Sequence, residues 1–347
     1  NQAIMRTPLP FSALAWTPDL AGALAEASAA IARLDARICA SSFGSAWRLR
    51  ASWTGYATAL RLCQVPLEEI DIIAHNCGLR LAGREPPQTM GEPFEAYQPW
   101  LVRLTEAEGP HWREDLPFTF DPPESWGEAP ALVRALTLLD AWARVDRSAA
   151  PWLAFPVILR RIGITKAPLP CLVAGDAGQR FALDPRPALL KRLLKQLSRL
   201  ASDGLTRLER LEQVSRHGAA AICGERRPGM LAELGRIALA RPYLAPRSLA
   251  PELGLSISGA GKLLTRAARL GLLVETSGRS TWRSYVTPDV ALALGLVPPE
   301  RGRPRLPPPP SPTLDSVLAA FDAEMEALDR RFGGLGSTKP PVMVIND

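Results

Sequence analysis

The stretch that most constrains this chain is residues 247–286, RSLAPELGLSISGAGKLLTRAARLGLLVETSGRSTWRSYV. Leu249, Ala250 and Leu253 fall on one face of a short helix. Gly254 ends that helix, because a residue without a Cβ enters the left-handed region cheaply. Ser256 is placed to cap a second helix by accepting from its free N–H groups. Ala260, Leu263, Leu264, Ala267 and Leu270 then recur at helical spacing, which makes one apolar stripe. Gly271 closes the second helix. Leu272-Leu273-Val274 and Trp282 to Val286 bracket Ser277-Gly278-Arg279-Ser280, the pattern of two strands joined by a glycine turn.

This order predicts a winged helix-turn-helix over 228–297, with Pro228–Leu239 as its own first helix. A second helix offered on a short turn is how such modules reach base edges in a major groove. Its polar face carries Ile257, Ser258, Gly259, Gly261, Lys262, Thr265, Arg266 and Arg269. Small residues at its start let the backbone approach DNA closely. Ser258 and Lys262 are the candidates for base edges, since lysine donates to guanine acceptors. Arg266 and Arg269 lie further along and are expected on phosphates. Ser256, Gly259 and Thr265 complete the candidate surface on the helix. Arg279 and Arg283 flank Trp282 in the wing and add a backbone or minor-groove contact. From Glu225 to Arg305 there are thirteen Arg and Lys against six Asp and Glu, whereas the whole chain carries only +6. The basic character is therefore concentrated in this module, the electrostatic footprint expected for double-stranded DNA.

The remaining composition sets bounds. A chain of 347 residues is long enough for two domains and a real core. No run of 18 apolar residues occurs, so no membrane span is expected. The opening NQAIMRTPLPF lacks the charged-then-apolar pattern of an export signal. Cys39, Cys63, Cys77, Cys171 and Cys223 form no C-x-x-C pair, which predicts reduced thiols and a cytoplasmic setting. His75, His111 and His217 are far apart and none has a histidine or cysteine at i+3 or i+4, so no metal or cofactor is expected. There is no P-loop, G-x-S-x-G or G-x-G-x-x-G motif. His75 and Cys77 are two apart and face different directions on a helix, which argues against a dyad. Trp112, Trp126 and Trp152, in or beside proline-rich loops, are more easily read as anchors than as a ligand cage.

The predicted organisation is mainly α. Residues 1–18 read as an irregular arm, and 19–223 as a helical domain. Within that domain the periodicity predicts helices from Asp19, over Ser45–Cys63, Leu67–Leu81, Trp100–Glu108, Pro130–Val145 and Pro151–Ile162. Loops are expected over 84–99 and 109–123, and a loop or short strand over 167–174. Two separate helices are expected over Pro187–Leu200 and Leu205–Cys223. Pro298–Pro312 is a proline-rich linker that favours extended states. In 313–332, Leu314, Leu318, Phe321, Met325, Leu328 and Phe332 step by three and four, a heptad seam for a C-terminal amphipathic helix. That seam is the candidate homodimer contact; packing on its own chain is the alternative. A tail, 333–347, follows.

Read together, these parts resemble known families. AFPVILRRIGITKAPLPCLVAG (154–175) looks like the segment after the phosphate-binding loop of Fic-fold proteins, and AEASAAIARLDARICASS (25–42) is similar to their early helix. The resemblance implies a Fic-like helical bundle for the first domain. More broadly, the layout resembles a bacterial, often plasmid-borne family. Its members pair an uncharacterised N-terminal helical domain with a C-terminal helix-turn-helix DNA-binding domain and are treated as presumed regulators. Active Fic proteins carry His-Pro-Phe and then Asn-Gly and Gly-Arg. The matching stretch here, ARVDRSAAPWLAFP (143–156), has no histidine to act as a base and no glycine-rich turn for a phosphate. Ser41-Ser42 is followed by FGSAWRLR, without the glutamate of the inhibitory motif. The implied bundle is thus degenerate and without catalytic residues.

The expectation is a non-enzymatic, dimeric regulator that reads double-stranded DNA with helix 257–270. The alternatives are a Fic-related nucleotidyl-transfer enzyme and a plasmid replication or partition accessory protein. An effector ligand is not indicated by any residue pattern.

Overall fold

The computed structural model describes residues 9–79, 92–105, 116–176, 178, 186–276, 283–298 and 323. Residues 1–298 form one compact unit and 299–347 a second. The heptad residues Leu314 to Phe332, the linker and the tail's residues therefore lie outside the described part, as do Arg279, Trp282, His111 and Trp112.

The first unit is mainly α. Its helices are α1 Pro18–Ala40, α2 Gly44–Leu62, α3 Glu69–Asn76, α4 Glu92–Glu95, α5 Tyr97–Thr105, α6 Ala131–Val145, α7 Ala150–Arg161 and α8 Arg186–Cys223. Then come α9 Leu231–Ala240, α10 Pro246–Glu252, α11 Ile257–Arg269 and α12 Pro288–Ala293. Three two-residue strands, β1 Tyr243–Leu244, β2 Val274–Glu275 and β3 Tyr285–Val286, make an antiparallel sheet in the order β1-β3-β2. β3 is central, with Val286 opposite both Tyr243 and Val274.

α1 is an alanine-rich helix whose buried residues Leu20, Ala23, Ala27, Ile31, Leu34 and Ile38 form one stripe. Its cap is Thr17, whose hydroxyl accepts from Leu20 N at 3.3 Å, and the helix starts at Pro18 rather than at Asp19. Pro18 at the first turn explains the difference: proline has no N–H to satisfy there, so the helix starts one residue earlier. Asp19 instead pairs with Lys191 on α8. Along the same seam Ser198 donates to Glu26, and Ser41 donates to Glu212 at 2.8 Å. The separations stay near-constant at 172, 172 and 171 residues, so α1 and α8 lie parallel.

α8 is one continuous helix, where the sequence reading expects a break around Ser202-Asp203-Gly204. Gly204 is there because its neighbours leave little room: a Cβ would meet Cys171 Sγ at 3.0 Å and Leu34 Cδ2 at 3.1 Å. Trp47 Nε1 also donates to the Gly204 carbonyl, at 2.8 Å. The glycine marks a close three-way contact, not a stop. Two further differences are local. Residues 92–95 and 97–105 are helical where a loop to residue 99 was expected, and Tyr97 and Trp100 anchor them with Tyr56 in a ring cluster. α3 begins at Glu69, where Asp71 accepts from Glu68 N at 2.9 Å.

The main core joins α1, α2, α6, α7 and α8 around Trp47, Trp152, Phe155 and Leu136. Residues 167–174 run through it without regular structure, and Leu169, Leu172 and Val173 are buried. At its edge Arg186 holds a buried, two-pronged ion pair with Asp140, at 3.2 and 2.7 Å. Arg186 also donates to the Leu9 carbonyl and lies over the Phe11 ring, which fastens the start of the described chain to α6 and α8. A second core joins α2, α3 and α5 to Val286, Val290, Ala291 and Leu294. A third lies wholly within 231–285.

Candidate nucleic-acid interface

The third core positions the candidate surface. α10 starts at Pro246, and its turn closes with Leu255 N donating to the Ala250 carbonyl at 2.9 Å. Gly254 takes φ +63°, the left-handed geometry that this turn needs. Ser256 then caps α11, accepting from Gly259 N at 3.1 Å. Ala260, Leu264 and Ala267 are fully buried, so the apolar stripe faces α10 and the sheet. Gly271, at φ +72°, turns the chain into β2. Beyond β2, Thr276 N donates to the Ser284 carbonyl, which extends the β2–β3 pairing by one residue.

β1 was not expected from sequence. Two residues are too few for a periodicity to show. It is fixed by β3, which pairs with it, and by Thr287 N donating to the Pro242 carbonyl.

The opposite face of α11 borders a groove of about 510 Å³, whose lining also includes Pro246, Arg283 and Tyr285. Ser258, Lys262 and Arg269 are exposed on it, and Ile257 is 60% exposed. Lys262 and Arg269 are two turns apart, roughly 10 Å along the axis. Thr265 is half-buried. Its hydroxyl donates to the Gly261 carbonyl at 2.9 Å and lies 3.2 Å from the Tyr285 hydroxyl, so it locks the helix to β3. Arg266 is also engaged. It pairs with Glu225 and donates to the Arg227 carbonyl at 2.6 Å, which ties α11 to the α8–α9 connection. Arg283 sits 3.6 Å from Glu275 across the strands.

The charges have a simple order. From 225 to 298 the described acidic residues are Glu225, Glu233, Glu252, Glu275 and Asp289. They pair respectively with Arg266, Arg236, Arg241, Arg283 and Arg50. Lys262 and Arg269 have no ion-pair partner among the described residues, and neither have Arg226, Arg227 and Arg247. Arg247 follows the groove residue Pro246 in the chain, and the Arg227 carbonyl accepts from the groove residue Arg266. These last three cations escape a reading by helical face, because they lie on connections and at the start of α10. Only the pairing pattern singles them out.

The other sequence candidates are dispersed. His75 is exposed and stacks on Phe94 with ring centres 4.0 Å apart, while Cys77 is buried. Burial pushes the Cys77 thiol up to about 12, and Cys171 likewise, so neither is a thiolate at neutral pH. Trp126 packs on Phe120, and Trp152 is a core side chain. Among the described residues no group of His, Cys, Asp and Glu could hold a metal ion, and no helix is long and apolar enough to cross a membrane. Compared with known proteins, the chain matches no family model and no curated sequence.

Proposed function

We propose that residues 228–297 act as a winged helix-turn-helix and that the chain is a sequence-specific regulator of double-stranded DNA. The observation that carries this reading is the charge order. Each described acid of the module is paired with an arginine, and the spare cations Lys262 and Arg269 stand on the exposed face of a capped helix. A net positive helix face with a small-residue start suits close approach to a major groove. Lys262 and Ser258 read bases. Arg269, with Arg226, Arg227 and Arg247, meets phosphates. Arg266 has a positioning role, since its guanidinium is held by Glu225 and the Arg227 carbonyl. A Fic-like bundle is part of the same reading, without nucleotide transfer, because 143–156 contains no histidine to act as a general base.

Selection from a pool of random duplexes tests this. One enriched motif is expected. Lys262→Ala should flatten the preference at one or two positions by about 1–3 kcal/mol. Arg269→Ala should weaken all duplexes alike and lower the salt slope by about one unit. Failure to enrich any duplex would sink the reading.

The active species is proposed to be a homodimer joined through the seam Leu314, Leu318, Phe321, Met325, Leu328 and Phe332, reading a pseudo-palindrome. Truncation after Leu306 is expected to shift sedimentation towards monomer and to weaken operator binding. Unchanged mass and affinity would remove the seam from the account.

A further inference from the structure

Ile257 sits where a large apolar side chain is not needed by the fold. It opens α11 and is 60% exposed, and it is the one exposed large apolar side chain among the described residues that lines the α11 groove. Its companions there are cationic. Lys262, Arg266, Arg269 and Arg283 line the same groove, and none of the described lining is acidic. An apolar side chain in a cationic groove suits a partner that is anionic overall and apolar at one point. A duplex meets both conditions. Its phosphates supply the charge. The only apolar group on the major-groove edges of the four base pairs is the C5-methyl of thymine.

Gly261 and Pro246 leave room for such a contact. Gly261 stands one turn beyond Ile257, in the interior of a 13-residue helix, where only proline is less favourable than glycine. Its own neighbours do not require it. A Cβ at 261 would be 3.9 Å from Pro246 Cγ, which is ordinary van der Waals contact. Gly259, two residues earlier, differs. A Cβ there would meet Ser256 Oγ at 3.3 Å, so the cap itself keeps that position small. At 261 the missing side chain instead opens the helix backbone to close approach, beside the Pro246 ring and on the groove that Ile257 lines.

We propose that Ile257 is a specificity-determining residue that packs on the C5-methyl of a thymine in the major groove, with Gly261 and Pro246 admitting that base edge. The assignment rests on the DNA reading above and adds a base to it: a T·A pair, recognised by apolar contact and not by a hydrogen bond. One methyl group taken out of water against apolar atoms corresponds to a preference of about fourfold.

The test uses the full chain and the duplex it selects from a random pool. Each thymine of the enriched motif is replaced in turn by deoxyuridine, which removes the C5-methyl and keeps every hydrogen-bonding group of the base. At one or two positions the replacement should weaken wild-type binding about fourfold, read by fluorescence anisotropy. Ile257→Ala should bind the thymine and deoxyuridine duplexes equally well at that position, with an unchanged circular dichroism spectrum. Gly261→Ala should lose the same preference while its melting temperature rises, because alanine favours the helix. A purely structural role for residue 261 would not join a more stable helix to a lost base preference. Lys262→Ala, which acts on another base, should keep the thymine preference. A motif whose thymines all tolerate deoxyuridine overturns the methyl contact. A preference that persists in Ile257→Ala overturns the assignment to this residue, and one that persists in Gly261→Ala removes the glycine from it. All three results leave the DNA reading standing, because a motif has been enriched. Enrichment of no duplex removes the DNA reading and the thymine contact together.

Discussion

At Gly55 the structure leaves no place for a side chain. A Cβ there would lie 2.0 Å from the Pro170 carbonyl oxygen, a backbone atom fixed by the buried run 169–174. Gly55→Ala should therefore destabilise by about 3 kcal/mol, at the upper end for overpacking, despite alanine's better helix propensity. A urea midpoint within error of the wild type would show that the 167–174 segment yields freely. At Gly204 the hindrance comes from the ends of side chains, so the same change there should be milder. Sequence puts Gly55 inside an expected helix and Gly204 at an expected break, and shows for neither how much room a side chain would have. The difference is set by what a segment more than a hundred residues away, or a facing helix, does with the space. The candidate surface divides in the same way. The cap at Ser256 and the exposed positions of Lys262 and Arg269 could be read from helical spacing, because they depend only on α11. Thr265 and Arg266 could not, because their roles are decided by Tyr285 and Glu225.

Elements were legible where periodicity and a cap coincide. α11 is the clearest, since Ser256, the apolar stripe and Gly271 each act within a few residues. Ser256→Ala should cost about 1 kcal/mol through the lost acceptor for Gly259 N, and Ser256→Asp should restore most of it. Thermal melts of the three proteins decide the point: an alanine variant as stable as the aspartate variant would mean that the hydroxyl contributes nothing. α8 was legible in content but not in extent. Its Ser-Asp-Gly centre has the composition of a turn, and packing on α1 and Trp47 overrides it. β1 and α12 were missed because both are short and owe their conformation to partners distant in sequence: β3 for one, and Arg50 with the second core for the other.

For the molecule as a whole, the fold shelters thiols in both of the first two cores. Cys77 and Cys171 are each pushed from 9.0 up to about 12, chiefly by burial. Folding thus favours the neutral thiol. That contribution is complete below pH 9 and is lost as pH rises towards 12. Unfolding free energy should fall by up to about 1.4 kcal/mol per pH unit for each thiol across that window. Urea midpoints from about pH 8 to 10.5 measure this, and Cys77→Ala and Cys171→Ala should each flatten the decline. A slope that both substitutions leave untouched would place its origin elsewhere.

The parallel seam between α1 and α8 has a consequence for how the protein is made. Asp19 meets Lys191 and Glu26 meets Ser198, each 172 residues further on. A ribosome adding about 5–20 residues per second completes α1 roughly 10–35 s before the partner residues exist. During that time a stripe of Leu20, Ala23, Ala27, Ile31 and Leu34 has no permanent cover. Synthesis of this protein therefore passes through a long stage in which its first helix is an apolar surface in search of a partner. Nascent chains stalled before residue 186 should be held by chaperones, and chains stalled well beyond residue 211 should be released.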